Sequence, residues 1–509
     1  MLKDFATPEA TRDLFDSQPD LGYGLLGRSG LSASAAGFGG YRISQGVRHH
    51  AKALNKALLA GINLIDTSAN YADGGSERLV GQVLTDLVES GKLNRRQVIV
   101  VSKVGYLQGQ NFALSQQRKQ EGKPFPELVE YGKGLEHCIH PEFLEDQLTR
   151  SLERLNLETL DFYLLHNPEY YLDWCAKNGV ALETARTEFY RRIRAALEFL
   201  EQAVSQGRIR AYGISSNTFV SSADDPEFAC LETIYETAEQ ISSSHNLGLI
   251  QLPFNLFEPG AVLEPNQPGG QSVLGFARQK NLGVLANRPL NAFTGNRLIR
   301  LADIEAPERQ DSDQIIGKIR AVQKSEIRFW RRLLPGLDIR DGLKTRIKQQ
   351  VSISDSLKHY YLNFGSYENF RQYRDSHFLP HVNGVIDFLK QHVSDDEDVT
   401  QWIDSHMTAL SEAFAAVGSI YAEETDMQIR RIRRLVNETD HDWAIPETMS
   451  GKAIRAVRST AGVSTVLVGM RRVAYVDDVV AELRQPVRQA DKTESWEKLQ
   501  RGLSEMRFW

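Results

Sequence analysis

INLIDTSANY (62–71), VIVVSK (98–103) and LDFYLLH (160–166) are the three stretches on which the fold turns. Each begins as a short apolar run, ends on polar side chains, and is followed by a segment of helical periodicity. A strand that is apolar on both of its alternating sides belongs in a sheet covered on both faces. Working outward, the same unit recurs. Strands are predicted at 33–38, 62–65, 98–102, 160–165, 209–214, 249–252, 282–286 and 464–468. Helices are predicted at 47–60, 76–89, 141–155, a long one ending near 205, 226–243, 271–280, 448–460 and 475–483. Eight such units predict an α/β fold, a closed (β/α)8 TIM barrel, and argue against an open sheet.

A bare barrel needs about 250 residues, and this chain has 509. The surplus predicts an N-terminal extension (1–20), a first barrel part (21–293), a mainly helical insertion between strand seven and its helix (294–446), a last barrel part (447–485) and a C-terminal tail (486–509). Smaller insertions are expected after strand three (107–140) and strand four (169–183). All three leave the carboxyl ends of strands, the face on which barrel enzymes build their sites. Within the largest, Ile429, Ile432, Leu435 and Val436 fall at helical spacing with Arg430, Arg431, Arg433 and Arg434 between them. That pattern reads as one helix of a small bundle with a basic solvated side. A protein partner docking on the insertion is the sharper alternative.

The formal net charge is −6, which does not suit a general nucleic-acid binder. Three cysteines, Cys138, Cys175 and Cys230, form neither a C-x-x-C pair nor a disulfide framework. Residues 1–20 are polar and acidic, and no apolar run approaches the roughly 18 residues of a membrane span. These observations lead to the expectation of a cytoplasmic protein that engages neither membrane nor nucleic acid.

Polar residues at the carboxyl ends of barrel strands are the catalytic candidates. Strand two ends at Asp66, with Tyr71 five residues later; strand three ends at Lys103; strand four ends at His166. On consecutive strands the four side chains can converge. A free phenol ionises near pH 10, and a neighbouring ammonium is expected to lower that value. Asp66 can hold and aim Lys103. His166 can donate a second hydrogen bond to the oxygen that Tyr71 contacts. Such a group polarises a carbonyl and supplies its proton, while a hydride has to come from a cofactor. The cofactor's phosphates are expected at the loops after strands seven and eight, where Arg288 and the run Gly469, Met470, Arg471, Arg472 stand. The run opens a helix, whose free N–H groups attract anions. Two arginines there favour the 2′-phosphate of NADP over NAD, which stays open as the alternative. Gly39 and Gly40 would let backbone approach the cofactor.

As a set, Asp66 with Tyr71, the strand-end Lys103, LLH ending at His166, LGRSGLSASAAGFGGY (26–41), GRIRAYGIS (207–215), LIQLPFNLF (249–257) and VSTVLVGMRR (463–472) resemble the aldo-keto reductase superfamily. The resemblance covers about 22–290 and 448–480. It implies that Tyr71 is the proton donor, supported by Asp66, Lys103 and His166, and that Ser215 and Gln251 hold the nicotinamide carboxamide. The chain departs from the family pattern in places. Asn287 stands where an aromatic ring often stacks on the nicotinamide, Ser215-Ser216 replaces a Ser-Asn pair with Asn217 one place late, and Val479 stands at an adenine contact. The function implied is NADP-dependent reduction of a small-molecule aldehyde or ketone, or oxidation of the alcohol. The alternatives are an NAD-dependent sugar or polyol dehydrogenase, and a redox-sensing subunit whose insertion docks a partner.

Other signals are discounted. Gly22-Tyr23-Gly24-Leu25-Leu26-Gly27 fits G-x-G-x-x-G but lacks the strand before and the helix after, and reads as a hairpin capping the barrel's bottom. His137 and His140 lack a zinc site's remaining ligands, and Pro141 opens a helix. His49 and His50 read as helix surface.

Overall fold

The structure, a computed structural model, describes residues 1–294, 297–304, 307–393 and 396–506. Parts of the expected insertion (295, 296, 305, 306, 394, 395) and the last three residues of the expected tail lie outside the described residues. Eight strands, β1 (Ala36–Gly39), β2 (Leu64–Asp66), β3 (Ile99–Val104), β4 (Leu160–His166), β5 (Ile209–Ser215), β6 (Leu247–Pro253), β7 (Gly283–Asn287) and β8 (Thr465–Val468), close a barrel in chain order. Every neighbouring pair is parallel. The helices that follow are α1 (Arg48–Leu59), α2 (Gly75–Glu89), α3 (Pro141–Leu155), α4 (Leu182–Ser205), α5 (Leu231–Ile241), α6 (Val273–Gln279), α7 (Met449–Arg458) and α8 (Val473–Leu483). A last helix, α9 (Thr493–Glu505), packs Trp496 against Phe254 and Trp443.

The barrel interior explains where the polar strand ends point. One buried cluster contains Leu64 of β2, Ile99 and Val101 of β3, Phe162 and Leu164 of β4, Leu249 of β6, Leu285 of β7 and Leu467 of β8. Side chains alternate along a strand, so residues two places on lie on the same face. Two places beyond Leu64, Val101, Leu164, Leu249 and Leu285 come Asp66, Lys103, His166, Gln251 and Asn287. The apolar core and the polar mouth are thus successive layers of one inward face. The same cluster takes in Leu26, Leu31 and Ala33 from the hairpin of Tyr23–Leu25 and Ser32–Ser34, which plugs the amino end. Gly27 is required there: its φ is +52°, and a Cβ would lie 2.2 Å from the Gly283 nitrogen.

Three local expectations are corrected. The run 33–38 is not one strand. Ser34 interrupts it by giving its N–H to Asn63 Oδ1 (2.8 Å) and its hydroxyl to the Ala36 carbonyl (2.8 Å), so the first half joins the hairpin and the second the barrel. Helix α5 starts at Leu231, five residues later than expected. His50 is buried rather than superficial, its Nδ1 accepting the Ser44 N–H at 3.1 Å.

The chain divides into two compact units, the barrel unit of Met1–Ala292 with the chain from Leu435, and a second unit of Phe293–Arg434. Residues 435–446, placed in the insertion by sequence, thus fall in the barrel unit, where Trp443 is buried and bonds Ser459 at 3.0 Å. The second unit is mainly helical and has its own core, including Phe329, Phe370, Val382, Trp402 and Val417. The helix Glu397–Thr439 buries Ile429 and Ile432 while Arg430 and Arg431 are exposed, as the periodicity predicts.

Candidate active site

Four side chains expected to converge do so. The Lys103 ammonium donates to Asp66 Oδ1 at 2.6 Å and to the Thr67 carbonyl at 2.9 Å. It also sits 4.9 Å from the centre of the Tyr71 ring. The rings of Tyr71 and His166 meet edge-on with centroids 5.9 Å apart. Lys103 is fully buried and Asp66 4% exposed. Burial lowers the ammonium's pKa, and Asp66 opposes that through its charge and hydrogen bond. His166 is held neutral: burial, then Lys103 and His137, push its pKa well below the ordinary imidazole value.

Tyr71 differs from its expected state. The sequence predicts a phenol acidified by Lys103, whereas its pKa is raised well above 10, by burial first and then by Asp66 and Tyr41. The reason is geometric. Asp66 accompanies Lys103, so the pair presents little net positive charge, and desolvation decides.

The polar network extends beyond the four. His166, Ser215 and Gln251 are register neighbours across β4, β5 and β6. Gln251 Nε2 donates to Asp66 Oδ1 at 2.8 Å, and Gln251 Oε1 accepts from Ser215 Oγ at 3.1 Å and from Asn287 Nδ2 at 3.4 Å. Ser216 points elsewhere, its hydroxyl accepting the Thr218 N–H at 3.2 Å. Gly40 has a reason within the protein: a Cβ would lie 2.8 Å from both the Asp66 carbonyl and Ser76 Oγ. Gly39 would place one 3.2 Å from the Val468 carbonyl. Arg288 has a φ of +55° and forms an ion pair with Glu258 at 2.8 Å, a partner the sequence did not point to. Gly469, Met470, Arg471 and Arg472 follow β8 as expected, and Arg472 is the N-cap residue of α8, whose first turn has no acid. A Cβ at Gly469 would meet nothing within 4 Å. These residues suit a nicotinamide dinucleotide: a donor and acceptor pair at the mouth, and two cations beside an open helix start.

Several neighbours were not singled out from sequence. Ser68 Oγ lies 3.1 Å from His166 Nδ1. Tyr106 packs edge-on against His166 (4.8 Å) and Tyr41 against Tyr71 (5.2 Å). Glu169, 3% exposed, accepts the Asn217 N–H at 2.8 Å, tying the loop after β4 to the loop after β5. Ser68 and Tyr106 stand within a few residues of Tyr71 and Lys103, a proximity that could have marked them. His137 contacts the His166 carbonyl at 2.8 Å, and His140 caps α3. Among the described residues no group of three His, Cys, Asp or Glu side chains could hold a metal, and no helix is long and apolar enough to cross a membrane.

Comparison with known proteins finds several relatives. The NADH-specific methylglyoxal reductase of Escherichia coli is 27% identical over 199 residues, 38% of this chain and 51% of the relative. The 6-dehydroglucose reductase of Novosphingobium aromaticivorans is 27% identical over 202 residues, again 38% and 51%. The match thus spans about half the length of each relative. Among solved structures, the holo form of an aldo-keto reductase from Bacillus halodurans aligns over 94% of this chain and 96% of its own, at 15% identity and a TM-score of 0.46. The profile of the aldo/keto reductase family matches residues 36–300, just over half of the chain. The chain belongs to the aldo/keto reductase family.

Proposed function

We propose that the protein is an NADP-dependent reductase of small aldehydes or ketones, with Tyr71 as proton donor and Asp66, Lys103 and His166 in support. The observation that carries the reading is the buried Lys103–Asp66 pair set beneath the Tyr71 ring at the barrel mouth. A bound nicotinamide would supply the hydride. A carbonyl oxygen between Tyr71 and His166 would take two hydrogen bonds, and Tyr71 would give up its proton as the oxygen gains charge. Reduction needs a phenol that still holds its proton, and the raised pKa of Tyr71 keeps it in that state. Ser215 and Gln251 would line the nicotinamide end, with Gly39 and Gly40 beside it. Arg288, Gly469, Met470, Arg471 and Arg472 would meet the phosphates.

A reductase acting on a dicarbonyl and another acting on an oxidised sugar among the relatives support a small, polar carbonyl as the substrate class. NADH is the second reading, favoured by the NADH specificity of one relative. Titrating the purified chain with NADPH and NADH, then following oxidation of each with methylglyoxal, tests both. Binding of neither cofactor would overturn the proposal.

A further inference from the structure

A neutral imidazole carries one proton, and only the nitrogen that carries it can donate. In His166 the two nitrogens differ in surroundings. Nδ1 faces the Ser68 hydroxyl at 3.1 Å, and Nε2 has no hydrogen bond among the described residues. Ser68 is 1% exposed. Its single hydroxyl proton has three acceptors in reach: Asn70 Oδ1 (2.7 Å), the Lys103 carbonyl (3.2 Å) and His166 Nδ1 (3.1 Å). Which one receives it decides where the imidazole proton sits. A hydroxyl donating to Asn70 must accept from Nδ1–H, which leaves Nε2 bare and unable to help a substrate oxygen. A hydroxyl donating to Nδ1 puts the proton on Nε2.

The polarity depends on how two amides further out are turned: as placed, Ser68 donates to Asn70 Oδ1 and Asn70 donates to the exposed Gln108. Asn70 Nδ2 lies 3.2 Å from Gln108 Oε1. The two ends of an amide have the same shape, so both side chains can turn over together. Gln108 then donates to Asn70, Asn70 Nδ2 donates to Ser68, and the Ser68 proton is released toward His166. Each link of that chain then pairs one donor with one acceptor.

We infer that Ser68 is a positioning residue whose hydroxyl donates to Nδ1 of His166 and so places the imidazole proton on Nε2, with Asn70 and Gln108 feeding the relay. The inference rests on the proposed role of His166 as a donor to the substrate oxygen. It adds a residue outside the four-residue set and a defined tautomer.

The experiment is the ¹⁵N spectrum of the full chain labelled in histidine, with the His166 signals identified by their loss in His166→Asn. Reduction of methylglyoxal by NADPH is measured alongside. The wild-type protein should show Nε2 protonated and Nδ1 bare. Ser68→Ala should lose the single tautomer and lower kcat roughly tenfold, a fraction of the 10²–10³ carried by one oriented donor, with cofactor affinity unchanged. Ser68→Thr keeps the hydroxyl and should restore both. Asn70→Asp, an acceptor only, should draw the Ser68 proton away and move the imidazole proton to Nδ1. A wild-type signal with the proton on Nδ1 overturns the inference, and so does a tautomer unchanged in both Ser68→Ala and Asn70→Asp. If the wild-type chain reduces no carbonyl with either cofactor, the functional proposal fails, while the spectrum still decides the tautomer.

Discussion

Lys103 Nζ lies 2.6 Å from Asp66 Oδ1 in a place closed to water, and the same carboxylate oxygen also receives Gln251 Nε2. One buried anion therefore joins the candidate catalytic group to the candidate nicotinamide group. Removing one partner of a buried ion pair strands the other, at a cost of about 3–5 kcal/mol. Asp66→Asn should lose stability of that order in urea denaturation and lower kcat together. Unchanged stability would mean that Lys103 finds another partner or sheds its proton without penalty.

Arg471→Ala combined with Arg472→Ala should weaken NADPH far more than NADH. Each charge-assisted contact to a phosphate contributes roughly 1.5–3 kcal/mol, so the NADPH dissociation constant should rise at least tenfold. Fluorescence titration with both cofactors checks this. Equal losses would place the arginines on the shared pyrophosphate.

Glu169 gives a pH signature. Burial raises its carboxyl to about 7, against the opposing pull of its own N–H, the Asn217 N–H and the Ser216 hydroxyl. A folded pKa above the unfolded one, about 4.3 for Glu, means stability is fully present below pH 4.3 and is lost as pH rises toward 7. The loss is on the order of 3 kcal/mol. Glu169→Gln keeps an acceptor for Asn217 and removes the charge. Relative to wild type it should gain stability at pH 8 and gain little at pH 4. A parallel pair of stability curves would contradict this.

The second unit has its own buried core, so replacing Phe293–Arg434 with a Gly/Ser linker should leave the barrel folded. Circular dichroism and a cooperative thermal transition of the shortened chain test it. Loss of the transition, with cofactor present, would show that the barrel depends on the second unit.

The barrel and three of the four converging residues are legible because both follow from period two, while Tyr71, in the turn after β2, is marked by its spacing from Asp66. An apolar strand that ends in a polar residue already states which side faces inward, so Asp66, Lys103 and His166 could be placed beside one another. Ser34 broke the first strand through two side-chain hydrogen bonds, a competition that β propensity does not register. The expected acidity of Tyr71 fails because burial, which spacing along the chain does not encode, outweighs the Lys103 ammonium paired with Asp66. The pairing of Arg288 with Glu258 and the contact of Ser68 with His166 join separate loops and strands, which spacing along the chain does not encode.

A phenol with a raised pKa also limits the pH profile. The rate of carbonyl reduction should show no loss from Tyr71 ionisation below about pH 10, the value for a free phenol. A falling limb between pH 8 and 9 in kcat that vanishes in Tyr71→Phe would show the phenol acidified after all.

The most direct test of Tyr71 as proton donor is the kcat of Tyr71→Phe for methylglyoxal reduction, measured beside its affinity for NADPH. The ring still packs against Tyr41 and His166, so cofactor affinity should stay near the wild-type value. Loss of the hydroxyl should lower kcat by roughly 10²–10⁴, the usual contribution of one general acid. A Phe variant that binds NADPH and keeps most of its kcat would contradict the proposed mechanism.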